Sequence, residues 1–147
     1  MSLTVRLAGP GDLPAVFALR HEVFVVDQDV PPELERDEMD DGCDHVVAVR
    51  DGLVVGTGRL AGGTIGRMAV AEHCRGRGVG AAVLSRLEER GVERALPAVE
   101  LHAQVHALGF YERAGYRPYG EVYLEAGIEH QSMRKELRGN PVLSAGQ

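Results

Sequence analysis

Disulfide staples, zinc clusters and membrane spans are all hard to build from this chain. Its 147 residues include two cysteines, Cys43 and Cys74. They lack C-x-x-C spacing and a Cys/His cluster, which argues against a disulfide framework or a zinc site and fits a reducing compartment. No metal is expected. No apolar run reaches the length of a bilayer crossing, so no membrane partner is expected. Positive charge is also scarce: 16 Lys+Arg face 22 Asp+Glu, a net charge of −6. That balance argues against wrapping nucleic acid or lying on an anionic membrane, and leaves room only for local basic patches. The opening residues lack the basic-then-apolar order of a signal peptide, so cytoplasmic residence is the expectation. Fixed-period repeats and low-complexity linkers are missing as well.

What remains suits one hydrophobic interior. With 44% hydrophobic and 26% charged residues, a chain of this size buries about 68–70% of its unfolded surface without covalent help. A single domain is expected over residues 3–137, with the aperiodic residues 138–147 as a flexible C-terminal tail.

Alternation of Leu3, Val5 and Leu7 predicts a first strand. Leu13, Val16, Phe17, Val23 and Phe24 recur at helical spacing, with Asp12 as the expected cap and Pro14 in the first turn. Residues 27–44 hold nine acidic side chains against one base, Arg36, and read as a loop. Asp51-Gly52 between two apolar runs, 45–50 and 53–60, is a two-residue hairpin signal, and residues 64–70 make a third strand of the meander. A helix follows from Val79, expected to stop at Gly91 near Arg90. A strand over 98–103, a helix over 105–113 and two closing strands over 116–124 and 130–137 complete the chain. This order describes an α/β (α+β) protein with a mixed, mostly antiparallel sheet flanked by helices.

The stretch from Val70 to Ala81 carries the most chemistry: a strand, a short loop, then Arg75-Gly76-Arg77-Gly78-Val79-Gly80 opening a helix. A helix start presents unpaired N–H groups and the positive end of a dipole, so main chain alone can hold a pyrophosphate. Glycines allow close approach, and Arg75 and Arg77 add local positive charge. The same pattern also suits a helix start that merely packs on a sheet. The dinucleotide fingerprint G-x-G-x-x-G/A is nearly met by Gly76, Gly78 and Ala81. However, five residues separate the strand from the first glycine, and a meander precedes it.

Those six residues resemble R/Q-x-x-G-x-G/A, the acyl-CoA pyrophosphate motif of the GNAT superfamily of N-acetyltransferases. A second block, Ala107-Leu108-Gly109-Phe110-Tyr111-Glu112-Arg113-Ala114-Gly115-Tyr116, resembles that superfamily's A-x-x-F-Y-x-x-x-G-F/Y signature. Segments 20–28, 101–104 and 120–130 are similar to its small bacterial ElaA-like branch, so the likeness covers most of residues 5–137.

The resemblance implies a sheet splayed to hold acetyl-CoA between the strand ending at Val70 and the strand 98–103, with coenzyme A as product. Backbone of Met68, Ala69 and Val70 would pair with the pantetheine arm and polarise the thioester carbonyl. Arg75, Gly76, Arg77, Gly78, Val79 and Gly80 would hold the pyrophosphate. An amine, small-molecule or peptide, would attack directly, and Tyr111 would protonate the leaving thiolate. Tyr111 could equally be an aromatic packing beside Phe110. Gln104 stands where many members carry Asn, and strand 64–70 lacks the glutamate that serves as base in some relatives. Glu121, Glu125 and His130, or His45 and His102 on strands, are the candidate bases; a water chain is the alternative. The acidic run is either a solvated loop or a rim that gathers a cationic amine. Arg20, on the helix face of Phe17 and Phe24, could be an internal partner for one of its acids. A homodimer through the closing strands is compatible with the resemblance. Lacking a clear base, the chain could also be a non-catalytic acyl-CoA-binding sensor or interaction module.

Overall fold

Asp51 and Gly52 both take positive φ, +53° and +77°, the backbone that a tight hairpin with the twist of its strands requires. They join β2 (Asp44–Arg50) to β3 (Leu53–Ala61) in an antiparallel pair. The computed structural model describes residues 2–137, so the expected tail lies outside the described residues. Further strands are β1 (Thr4–Leu7), β4 (Thr64–Val70), β5 (Ala98–Gln104), β6 (Arg117–Glu125) and β7 (Ile128–Glu136). All seven form one sheet in the order β1-β2-β3-β4-β5-β7-β6. Every neighbouring pair is antiparallel except β4 with β5.

That one parallel pair is short. β4 and β5 are matched at Thr64↔Glu100 and Ile65↔Leu101 only. Past this fork the remaining residues of both strands face a gap. On its other side β4 carries a bulge: Thr57 pairs with Ala69 and Arg59 with Gly66, so Gly58 stands opposite both Arg67 and Met68. Arg67 takes φ +51° to make room, a left-handed backbone that costs a non-glycine residue about 1–2 kcal/mol.

Helix α3 (Val79–Glu93) covers β2, β3 and β4. Its Val79, Val83 and Leu87 belong to the main buried cluster. Gly56 and Gly58 give α3 its close seat, since a Cβ on Gly56 would lie 2.6 Å from Val79 Cγ1 and one on Gly58 2.8 Å from Leu87 Cδ1. Contrary to the expected stop at Gly91, α3 continues to Glu93. Gly91 is instead a packing site, where a Cβ would meet Leu137 Cδ1 at 2.8 Å. Termination falls on Ala95: it has φ +61°, the Ala95 amide donates to the Val92 carbonyl and the Leu96 amide to the Gly91 carbonyl. This is a Schellman turn with alanine where glycine is usual.

Helix α1 (Leu13–Arg20) runs directly into a π-helical stretch, His21–Asp27, which the helical spacing does not distinguish from an α-helix. Leu19 and Val23 pack with Ala69 in a second, smaller cluster. Asp12 does not cap α1 through its side chain; the carboxylate accepts from the Gly9 amide and from Arg6 instead. The acidic run contains a short helix α2 (Pro32–Glu35) and a 3-10 turn, Glu38–Asp41. Helix α4 (Leu108–Arg113) is shorter than expected because Val105–Ala107 forms a 3-10 turn ahead of it.

Candidate active site

The fork between β4 and β5 opens into a cleft of about 1250 Å³, above the usual size range of sites for drug-sized ligands, roughly 300–1,000 Å³. It reaches from the glycine-rich loop to the tip of the β6–β7 hairpin, and the π-helical stretch and the acidic segment form another wall. Met68, Ala69 and Val70 line it along the β4 edge that β5 has left.

At one end lies the start of α3. Gly78, its N-terminal flanking residue, has φ +81° and Gly76 has φ +76°. A Cβ on either would project into open space, so glycine is required here by backbone conformation rather than by crowding. Gly80 differs: its φ is ordinary and a Cβ would make normal contacts with Phe110 and Val70 at 3.6–3.7 Å. No side chain caps α3, which leaves its first N–H groups for an anion. Arg75 is half-exposed, hydrogen-bonded through Nε to the Val70 carbonyl at 3.1 Å and 3.9 Å from the Asp27 carboxylate. A cradle of glycine, free amides and arginine fits a diphosphate. Arg77 is exposed and stands apart from the cleft wall.

Tyr111 also lines the cleft. Its ring meets Phe110 and Tyr116 edge-on, with centroids 5.0 and 5.9 Å away. Burial pushes the phenol up to about 12, so it stays protonated throughout the neutral range. Gln104 reaches across the cleft: its Nε2 donates to Gln28 Oε1 at 2.9 Å, and its Oε1 accepts from His106 at 2.6 Å. Gln28, the last residue of the ElaA-like segment 20–28, follows the π-helical stretch directly, and no sequence motif marks His106.

Three further candidates converge from β5 and the β6–β7 hairpin. His130 is buried, and its Nδ1 faces the Ile128 carbonyl at 2.7 Å. A carbonyl can only accept, so Nδ1 carries the proton and the neutral ring keeps its lone pair on Nε2. That Nε2 lies 3.8 Å from one oxygen of Glu125, whose other oxygen is 3.5 Å from His102 Nδ1. Tyr123 stacks on the His130 ring at 6.0 Å between centroids. Ala126 and Gly127, both at positive φ, turn the hairpin so that Glu125 faces the cleft. Glu121 is not brought here: it sits exposed where the β6–β7 register slips between Tyr119 and Tyr123. His45 is buried elsewhere, with Nε2 2.9 Å from the Asp40 carbonyl.

Three acids of the acidic wall, Glu35, Asp37 and Asp40, form an internal ion network, while Asp27, Asp29, Glu33, Glu38 and Asp41 stay exposed as a solvated loop would have them. Arg20 donates through Nε and Nη2 to both oxygens of Glu35 at 2.7 Å, and through Nη1 to Asp40 at 2.7 Å. Arg59 grips Asp37 in the same two-pronged way at 2.7 and 2.8 Å and also reaches Asp40. Burial works against the charged form of Asp40, but hydrogen bonds from Arg20 and the Asp37 amide outweigh it and hold the carboxyl well below the usual range. Arg67 bonds the Glu35 and Leu34 carbonyls from the β4 bulge. Arg20 is thus an internal charge partner. Asp40, Cys43 and His45 bring ligand atoms within 4.8 Å of one another, but Asp40 is already committed to two guanidinium groups that oppose a cation.

A mixed sheet forked between its one parallel pair, with an anion-ready helix start at the end of the gap, defines the acyl-CoA N-acyltransferase fold. The chain belongs to the GNAT acetyltransferase family: the family described as "Acetyltransferase (GNAT) domain" matches residues 13–137. It is 36% identical over 129 residues to the uncharacterized N-acetyltransferase YjcF of Bacillus subtilis, covering 84% of this chain and 92% of that one. Protein ElaA of Escherichia coli is 32% identical over 134 residues, 85% of this chain and 88% of ElaA. The ElaA crystal structure superposes with a TM-score of 0.82 at 29% identity, over 92% of this chain and 100% of that one. An acyl-CoA N-acyltransferase from Pseudomonas aeruginosa gives 0.80 at 33% identity, over 91% and 98%. The dinucleotide alternative falls with the topology, because the strand before the glycines is antiparallel to β3 and not part of a parallel set.

Proposed function

We propose that this protein transfers the acetyl group of acetyl-CoA directly to a primary amine of a small molecule or peptide, with both substrates bound together. The observation that carries the reading is a single cleft with a diphosphate cradle at one end and an imidazole of defined tautomer in its wall. Acetyl-CoA supplies the acyl thioester and leaves as the thiol. Arg75, the glycines and the first amides of α3 would hold its diphosphate, and the free edge at residues 68–70 its extended arm.

His130 is the proposed base. Its Nε2 lone pair can take a proton from the incoming ammonium, and Glu125 is placed to stabilise the imidazolium that results. Tyr111 is the proposed acid, supported by its place on the cleft wall and its high pKa. The test is thiol release from acetyl-CoA with a panel of amines. Turnover is expected; tight cofactor binding with no thiol released from any amine would leave a sensing module instead. Tyr111→Phe should lower kcat by about 10²–10⁴-fold, the usual contribution of a positioned acid, and leave acetyl-CoA affinity within twofold. An equal loss in both would mean that the ring only packs.

A further inference from the structure

Residues 34–40 are built inside out. The carboxylates of Glu35 and Asp40 are 3% and 6% exposed, while the apolar side chains of Leu34 and Met39 are 54% and 51% exposed. A surface segment ordinarily shows the reverse order. Arginine pairing is the cause, since Arg20, Arg59 and Arg67 draw the acids and the backbone inward. Leu34 and Met39 are turned out as a result, and both line the cleft.

The charged groups that line the cleft at this wall are already paired. Arg59 and Arg67, the arginines that reach the cleft here, face Asp37, Asp40 and the carbonyls of Leu34 and Glu35. Arg67 and Gly66 mark the β4 side of the fork, and His102 the β5 side, one residue beyond the last matched pair. Leu34, bonded to Arg67, therefore shares the fork end of the cleft with His102 and its partner Glu125.

We propose that the acceptor is a primary amine on an apolar body, with no carboxylate beside the nitrogen. The body lies on Leu34 and Met39 and the ammonium approaches Glu125 and His130. This rests on the acetyltransferase reading above. A carboxylate would meet only arginines that acids already hold, and a second ammonium would have to give up water to lie on Leu34 and Met39. In balance, an ammonium and an acetyl thioester yield an amide, a free thiol and one proton, as the N–C bond forms and the C–S bond breaks.

Two matched pairs test this, with thiol release measured at saturating acetyl-CoA: phenethylamine against phenylalanine, and hexylamine against 1,6-diaminohexane. The first of each pair is expected to show a kcat/KM at least about tenfold higher, and Leu34→Ser to raise KM for phenethylamine about tenfold with kcat and the melting temperature retained. Equal or better use of phenylalanine or the diamine would overturn the inference while leaving the acetyltransferase reading intact. So would a Leu34→Ser variant with unchanged KM. No thiol from these four amines while other amines of the panel are acetylated would overturn the inference alone; no thiol from any amine, with acetyl-CoA bound, would overturn both.

Discussion

Arg20 shows how much one side chain can organise. It is 1% exposed and supplies counter-charge to two buried acids on a segment fifteen to twenty residues away. Arg20→Met leaves the Glu35 and Asp40 carboxylates short of a partner, and breaking such a buried pair costs about 3–5 kcal/mol. Urea unfolding at pH 7 should show that loss. The sign with pH follows from the same contacts. Hydrogen bonds from Arg59 hold Asp37 below the ordinary carboxylate range, and those from Arg20 do so for Asp40 despite its burial. A depressed folded-state value gives stability that is present above the unfolded value, about 3.9, and is lost as pH falls below it. The urea midpoint of the wild-type protein should therefore start to drop below about pH 5 and keep dropping below about pH 3, until the folded carboxylates themselves protonate, with a shallower drop in Arg20→Met. A flat wild-type profile would contradict the network.

At the scale of elements, two turns make opposite use of the left-handed backbone. Gly78 holds φ +81° at the start of α3, whereas Ala95 holds φ +61° at its end. Ala95→Gly should raise stability by up to about 1 kcal/mol, read as a higher melting temperature, because glycine adopts this conformation without the Cβ penalty. Gly78→Ala should weaken acetyl-CoA binding at least tenfold and destabilise the protein by about 1–2 kcal/mol. Gly80→Ala, by contrast, should change both little, since its Cβ meets only ordinary contacts. Calorimetry and thermal melting separate these outcomes.

Elements also show what could be read from residues alone. Asp51-Gly52 announces its hairpin because the turn chemistry is local, and the glycine-arginine loop announces the open start of α3, the proposed anion site, for the same reason. Features set by long-range packing are not legible. Gly91 answers to packing against Leu137 and Val99 rather than to a helix stop, which falls at Ala95 instead. The bulge at Arg67 depends on β3, and the inversion of residues 34–40 depends on three arginines distant in sequence. Glu121 and Glu125 are indistinguishable as sequence, yet the slipped register of β6 and the turn at Ala126-Gly127 expose one and aim the other at the cleft.

For the whole molecule the decisive feature is the fork. A sheet that stayed paired between β4 and β5 would have no room for an acyl carrier, and one lacking the bulge would keep a different edge free. Within the main cluster, α3 sits close on Gly56 and Gly58, so the helix start and the free strand edge are held in fixed relation. The most direct measurement is residue-resolved amide NMR of the full chain with and without acetyl-CoA. Shifts are expected to concentrate on residues 68–70, on Gly76 and Gly78, and on the first turn of α3. Binding that leaves those amides unmoved while perturbing others would contradict the account.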